Sequence, residues 1–163
     1  METLLGKGLQ KVGTLIATLT ISIHPSVAAV DTPETTQPTE ARLLLAKRWD
    51  PASDPTGWWI SEKYDGVRAH WDGNTLWTRG GNRISAPDYF LAELPKGIGL
   101  DGELWFGRGQ FETTVSIVRR ETPDERWQLM SYMIFDSPTA VGTFEERMEF
   151  VRKILPRSAR HVK

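Results

Sequence analysis

The chain contains no cysteine, which excludes a disulfide framework and every cysteine-ligated zinc site. Its histidines, His24, His70 and His161, stand far apart and show no metal-ligand spacing. It has no excess of one charge. Twenty basic side chains face 21 acidic ones, a net of -1, so no global basic field points to a nucleic-acid partner and any such patch must be local. No apolar run reaches the roughly 20 residues that a stable membrane anchor needs. No internal repeat is present. What remains is a chain of 163 residues, 39% hydrophobic and 25% charged, enough for one domain with a packed core. Seven tryptophans are many for this length, and aromatics of this kind favour strands and cores.

The N-terminus has the three parts of a secretory signal. Lys7 and Lys11 make a basic start, residues 12–23 make a short apolar stretch, and Ser26, Ala28 and Ala29 offer a small-residue cleavage site. Residues 1–28 therefore read as a signal peptide, which sends the mature chain to the periplasm or outside the cell with no membrane attachment after cleavage. Residues 29–40, polar and carrying Pro33 and Pro38, read as a linker. Residues 41–163 hold the folded part.

Within that part, residues 57–61 form a short apolar run with strand character. Residues 67–71 and 74–78 flank Asp72-Gly73, a hairpin signal because both turn residues tolerate positive φ. Residues 98–106 and the long aromatic run 127–135 read as further strands. Residues 110–119 carry Phe111, Val115 and Val118 at helical spacing. Residues 143–155 carry a capping box at Thr143 and Glu146, with Phe144, Met148, Val151 and Leu155 on one face. The basic tail after Pro156 shows no closing strand. The fold class is α+β, built on an antiparallel sheet.

The chemistry centres on Ser61-Glu62-Lys63-Tyr64-Asp65-Gly66-Val67-Arg68. An amine attacks a phosphoanhydride only when unprotonated, and free lysine has a pKa of about 10.4, so a nucleophilic Lys63 needs desolvation or neighbouring positive charge. Arg68, Arg79 and Arg83, or a bound divalent cation, could supply that charge. Taken alone, Lys-x-Asp-Gly is also what a solvated turn looks like. Asp101 and Glu103 project from one face of a strand and could accept from ribose hydroxyls, hold a metal, or flank a sugar bond as a glycosidase pair. Phe135, ending an apolar strand beside Asp136, could stack on a base or simply pack in a core.

Together these segments resemble the covalent nucleotidyltransferases, which include ATP-dependent DNA ligases, RNA ligases and mRNA capping enzymes. Lys63 to Arg68 is similar to their motif I, Thr78-Arg79-Gly80-Gly81-Asn82 to the next ligase motif, Asp101-Gly102-Glu103 to motif III, and residues 132–136 to motif IIIa. Residues 102–112 are similar to the minimal bacterial DNA ligases that carry a secretory signal. The resemblance spans residues 41–155. It implies an adenylation domain with an ATP-grasp-like nucleotidyltransferase fold. It implies that Lys63 forms a lysyl-AMP phosphoramidate, that Arg68 and Glu103 contact the ribose, that Phe135 stacks on adenine, and that Ser61, Glu62 and Arg83 border the nucleotide. Arg79 would meet the 5′-phosphate of nicked double-stranded DNA. ATP and Mg²⁺ are implied as cofactors, with Glu103 as a metal ligand, and a monomer that seals nicks in DNA repair, recombination or replication.

Nothing after Phe150 resembles motif IV, with its metal-binding glutamate, or motif V, with its paired lysines. The domain therefore reads as incomplete and as lacking the OB-fold. It also reads as leaving a sheet edge unpaired. A fragment, a truncated product and a partner-completed protein all fit that reading. Other functions stay open beside nick sealing: RNA ligation or capping, an inactive nucleotide- or nucleic-acid-binding remnant, and a secreted glycosidase.

Overall fold

In a computed structural model the structure is described for residues 43–163. The expected signal peptide and linker lie outside the described residues. Among these, no helix is long and apolar enough to cross a membrane.

The centre is a five-stranded antiparallel sheet in the order β3-β2-β1-β4-β5. Its strands are β1 (Val67–Trp71), β2 (Leu76–Thr78), β3 (Arg83–Ile84), β4 (Leu100–Trp105) and β5 (Ser131–Asp136). Three helices accompany it: α1 (Asp88–Leu91), α2 (Phe111–Val118) and α3 (Phe144–Ile154). Successive strand residues point to opposite faces, so each strand divides its side chains between two surfaces. Ala69 and Trp71, Leu76, Ile84, Leu100 and Leu104, Tyr132 and Ile134 take one face. They form a core with Phe90, Leu94, Ile117, Val118 and Trp127. Each fully buried Val, Leu, Ile or Phe side chain among them contributes about 1.5–3 kcal/mol. Tyr132 crosses that face with its hydroxyl donating to the carbonyls of Ala69 (2.8 Å) and Leu100 (3.3 Å). Gly102 makes room for it, since a Cβ there would stand 2.7 Å from the Tyr132 ring.

Several elements differ from the sequence expectation. Residues 57–61 form no strand, and Trp58, Trp59 and Ile60 are exposed, so not every tryptophan serves the core. The β1–β2 turn is shifted by one residue from Asp72-Gly73. Trp71 pairs with Leu76 and the Asp72 N–H donates to the Thr75 carbonyl, which leaves Gly73 and Asn74 at the tip. The Asp72 carboxylate closes it by accepting from the backbone N–H of Asn74 and Thr75 and from the Trp77 indole. In α2 the buried stripe is Thr114, Ile117 and Val118, while Phe111 is exposed, because the core approaches from a face rotated from the one the apolar spacing marks. Residues 127–135 are divided: a 3-10 helix spans Glu125–Leu129, and Asp124 caps it by accepting from the Arg126 N–H, before β5 begins.

Two features after β5 bear on the sheet edge. The expected capping box of α3 is present, with Thr143 Oγ1 accepting from the Glu146 N–H and Glu146 accepting from the Thr143 N–H. The tail also pairs. Tyr132 and Ile134 donate to the carbonyls of His161 and Lys163, and Lys163 donates back to Tyr132, so the tail runs parallel along β5. The expected unpaired edge is therefore covered at these positions. Glu93 secures the tail by accepting from the backbone N–H of His161 (2.8 Å) and Val162 (3.2 Å).

Candidate functional site: the second face of the sheet

The face opposite the core carries the polar residues. Strand alternation places Asp101, Glu103 and Trp105 there from β4, and Arg68 and His70 from β1. The register sets Arg68 opposite Glu103 and His70 opposite Asp101. On β5, Met133 stands opposite Glu103. Asp101 pairs with Asp136 but Gly102 pairs with Ile134, so Phe135 is the extra residue of a bulge.

Arg68 is held from several sides. Its Nε and Nη2 donate to the two carboxylate oxygens of Asp101, at 3.1 and 2.6 Å, and Nη2 also donates to the Leu44 carbonyl. Its guanidinium lies 5.3 Å from the Phe135 ring centroid, a cation–π distance. Asp101 is fully buried, and the fork of two bonds from Arg68 compensates its charge. The Asp101 bond in turn raises the Arg68 pKa.

This disposes of one alternative. A carboxylate with no exposure and both oxygens engaged by arginine cannot flank a sugar bond, so Asp101 and Glu103 are not a glycosidase pair. It also changes the charge picture around Lys63. Arg68 does not stand free as a positive neighbour, because Asp101 neutralises it.

Lys63 lies outside any strand or helix, exposed, three residues before Gly66. Gly66 seats this stretch on β4. Its N–H donates to Glu103 Oε1 at 3.1 Å, and a Cβ at Gly66 would meet the Leu104 carbonyl oxygen. Burial raises the Glu103 pKa above its ordinary value, while the Gly66 N–H and the positive charges of Lys63 and Arg68 pull against that rise. Glu103 is therefore a half-buried carboxylate facing both basic residues.

The remaining expected site residues are all exposed. Ser61 and Glu62 are exposed on the same stretch, and Glu62 is turned toward Arg108 in an exposed ion pair of 2.8 Å. Arg79 is exposed in the turn closed by the Gly81 N–H to Thr78 and the Thr78 N–H to Asn82. Arg83 is exposed on β3, opposite Trp77 and two strands from Arg68, on the order of 10 Å away across the sheet. The structure thus gathers Lys63, Arg68, Glu103 and Phe135; Arg79 directly follows β2, at the position in register with Arg68, and Arg83 lies two strands away. Two clefts open elsewhere, one beside Tyr89 and Pro123 and one beside Arg83 and Leu91, and neither includes Lys63.

The part played by Asp101 as the seat of Arg68 was not legible from the sequence, because it depends on which strand lies beside which. The rings of Tyr64 and Trp105, 5.2 Å apart, were missed for the same reason. Among the described residues no three His, Asp or Glu side chains come together, so Glu103 lacks the company of a protein-built metal site. The donor set does not by itself fit Mg²⁺.

No protein-family model matches this chain. A DNA ligase of Haemophilus influenzae is 40% identical over 92 residues, 56% of this chain and 34% of that protein. A solved structure described as a Lig E DNA ligase, binding DNA with a minimal scaffold, matches with a TM-score of 0.55 and 44% identity.

Over part of their length, DNA ligases are similar to this chain.

The structural match covers 63% of this chain and 41% of the solved one. The chain spans about a third of the length of the curated relative it matches.

Proposed function

We propose that this chain is the nucleotide-accepting part of an ATP-dependent DNA ligase that seals nicks through Lys63. The observation that carries the reading is the seating of the Lys63 stretch on β4 through Gly66 and Glu103, on the face that also presents Arg68 and Phe135. The Lys63 amine loses a proton and its nitrogen attacks the α-phosphorus of ATP. A P–N bond forms, the bond to the bridging oxygen of the β-phosphate breaks, and pyrophosphate leaves. Glu103 accepts from ribose hydroxyls, and Phe135, backed by Arg68, stacks on adenine. Arg79 meets the 5′-phosphate of the nick, to which AMP passes before the 3′-hydroxyl displaces it. Mg²⁺ would supply charge and geometry at the phosphates, and the ligands it needs beyond Glu103 are not gathered among the described residues.

The signal-like N-terminus supports export to the periplasm or beyond, where a monomer of this kind would serve DNA repair, recombination or replication. The test is self-adenylylation. The chain is incubated with α-labelled ATP and Mg²⁺ beside a Lys63→Ala control. An acid-labile, base-stable adduct on the wild type alone is expected. A folded wild-type chain that takes no label, while still binding nucleotide or DNA, overturns the reading in favour of a binding remnant.

A further inference from the structure

Lys63 sits within residues 59–66, a strap with no strand or helix of its own. Its downstream end is fixed by the Gly66 N–H on Glu103. Its upstream end is fixed by Trp59. The Trp59 indole N–H donates to Glu145 Oε1 at 2.7 Å, and its ring meets the edge of Phe144 with centroids 6.0 Å apart. Trp58 and Ile60, on either side, are exposed.

Phe144 and Glu145 belong to the first turn of α3, and that turn is itself rigidly mounted. The capping box closes its N-terminus. One residue pair further on, Arg147 donates through Nε and Nη2 to the buried carboxylate of Asp136, at 2.7 and 3.1 Å. Asp136 follows Phe135 directly in the chain. The same helical turn therefore touches the strap upstream of Lys63 and the strand that presents Phe135.

We propose that Trp59 is a positioning residue for Lys63, mooring the strap to the first turn of α3 so that the amine is held from both ends over the Glu103 face. This rests on Lys63 being the nucleophile. A side chain on a stretch anchored at one end sweeps a larger volume than one anchored at both. Reaction rates fall steeply when a nucleophile leaves its near-attack geometry. Trp59 acts through the strap and has no contact with the nucleotide in this account.

The experiment measures single-turnover adduct formation by the full chain with α-labelled ATP, for wild type, Trp59→Ala, Trp59→Phe, Glu145→Ala and Glu145→Gln. Trp59→Ala and Glu145→Ala are expected to slow the step at saturating ATP about tenfold, with the half-saturating ATP concentration unchanged. Glu145→Gln keeps an acceptor and restores most of the rate. Trp59→Phe keeps the ring contact alone and falls between. Wild-type rates in Trp59→Ala overturn the proposal. So does a raised half-saturating concentration at an unchanged maximal rate, which would make Trp59 a nucleotide contact.

A second measurement needs no ATP. Tryptic cleavage after Lys63 is compared with cleavage after Arg157 in the same molecules, so that general unfolding, which speeds both, cancels. The ratio is expected to rise several-fold in Trp59→Ala, and an unchanged ratio overturns the mooring. If the wild type takes no label, the nucleophile reading fails separately, and this ratio alone decides whether Trp59 holds the strap.

Discussion

Arg68 and Glu103 stand opposite each other across β1 and β4, yet Arg68 directs both of its forked hydrogen bonds to Asp101, two residues earlier on β4. Glu103 is left to receive the Gly66 N–H instead. The division is sensible electrostatically. The buried carboxylate takes the arginine that must neutralise it, and the half-exposed one remains able to accept from other donors.

Removing the Asp101 carboxylate should therefore strand a partly buried guanidinium. Asp101→Ala is expected to lower stability by about 3 kcal/mol. Replacing Arg68 and Asp101 together with apolar residues should cost less than the sum of the single changes. Urea denaturation of the two single variants and the double variant checks this. Strict additivity would show that the pair is not coupled.

Gly66 is where the backbone of the strap comes closest to β4. Gly66→Ala places a Cβ against the Leu104 carbonyl oxygen, which cannot swing away because it is backbone. The expected loss is about 1–3 kcal/mol from overpacking, with slower adduct formation from the displaced Lys63. A variant with wild-type stability and rate would mean that the strap does not need this approach.

The sign of the pH effect at Glu103 follows from its raised pKa in the folded state. The folded chain holds that proton more tightly than the unfolded chain does. The stability linked to it is present below the unfolded glutamate value of about 4.3 and is lost as pH rises through the folded value. Glu103→Gln lacks this loss. The unfolding free energy of the wild type minus that of the variant should fall as pH rises through this range. A flat difference measured by urea titration at successive pH values would contradict the burial of this carboxylate.

Glu93 holds the tail against β5 from outside the sheet. In Glu93→Ala the amides of Tyr132 and Ile134, which donate to His161 and Lys163, should exchange with deuterium faster, while amides within α3 stay unchanged. Hydrogen exchange read by mass spectrometry separates the two. Unaltered protection at Tyr132 and Ile134 would mean that the strand pairing alone holds the tail.

Local signals in this chain were readable because they depend on neighbours in sequence. The capping box of Thr143 and Glu146, the alternation that sets Asp101 and Glu103 on one face, and the lysine with its following glycine all act within a few residues. Those patterns determined that the chain forms an α+β fold on antiparallel strands and where its candidate nucleophile lies. They failed where distant partners decide. The run 57–61 is apolar enough for a strand, but no described strand pairs with it, and its Trp59 instead reaches α3, 86 residues along the chain. The apolar spacing of α2 does not mark its buried face, because the core reaches the helix from the side of Thr114 and Ile117. Only the tertiary structure decided that β4 lies between β1 and β5, and so that Asp101 receives Arg68, Glu103 receives Gly66, and Phe135 bulges beneath the guanidinium. Register across strands brought together from far along the chain is settled by the packing of a shared core, and no short window of sequence contains it.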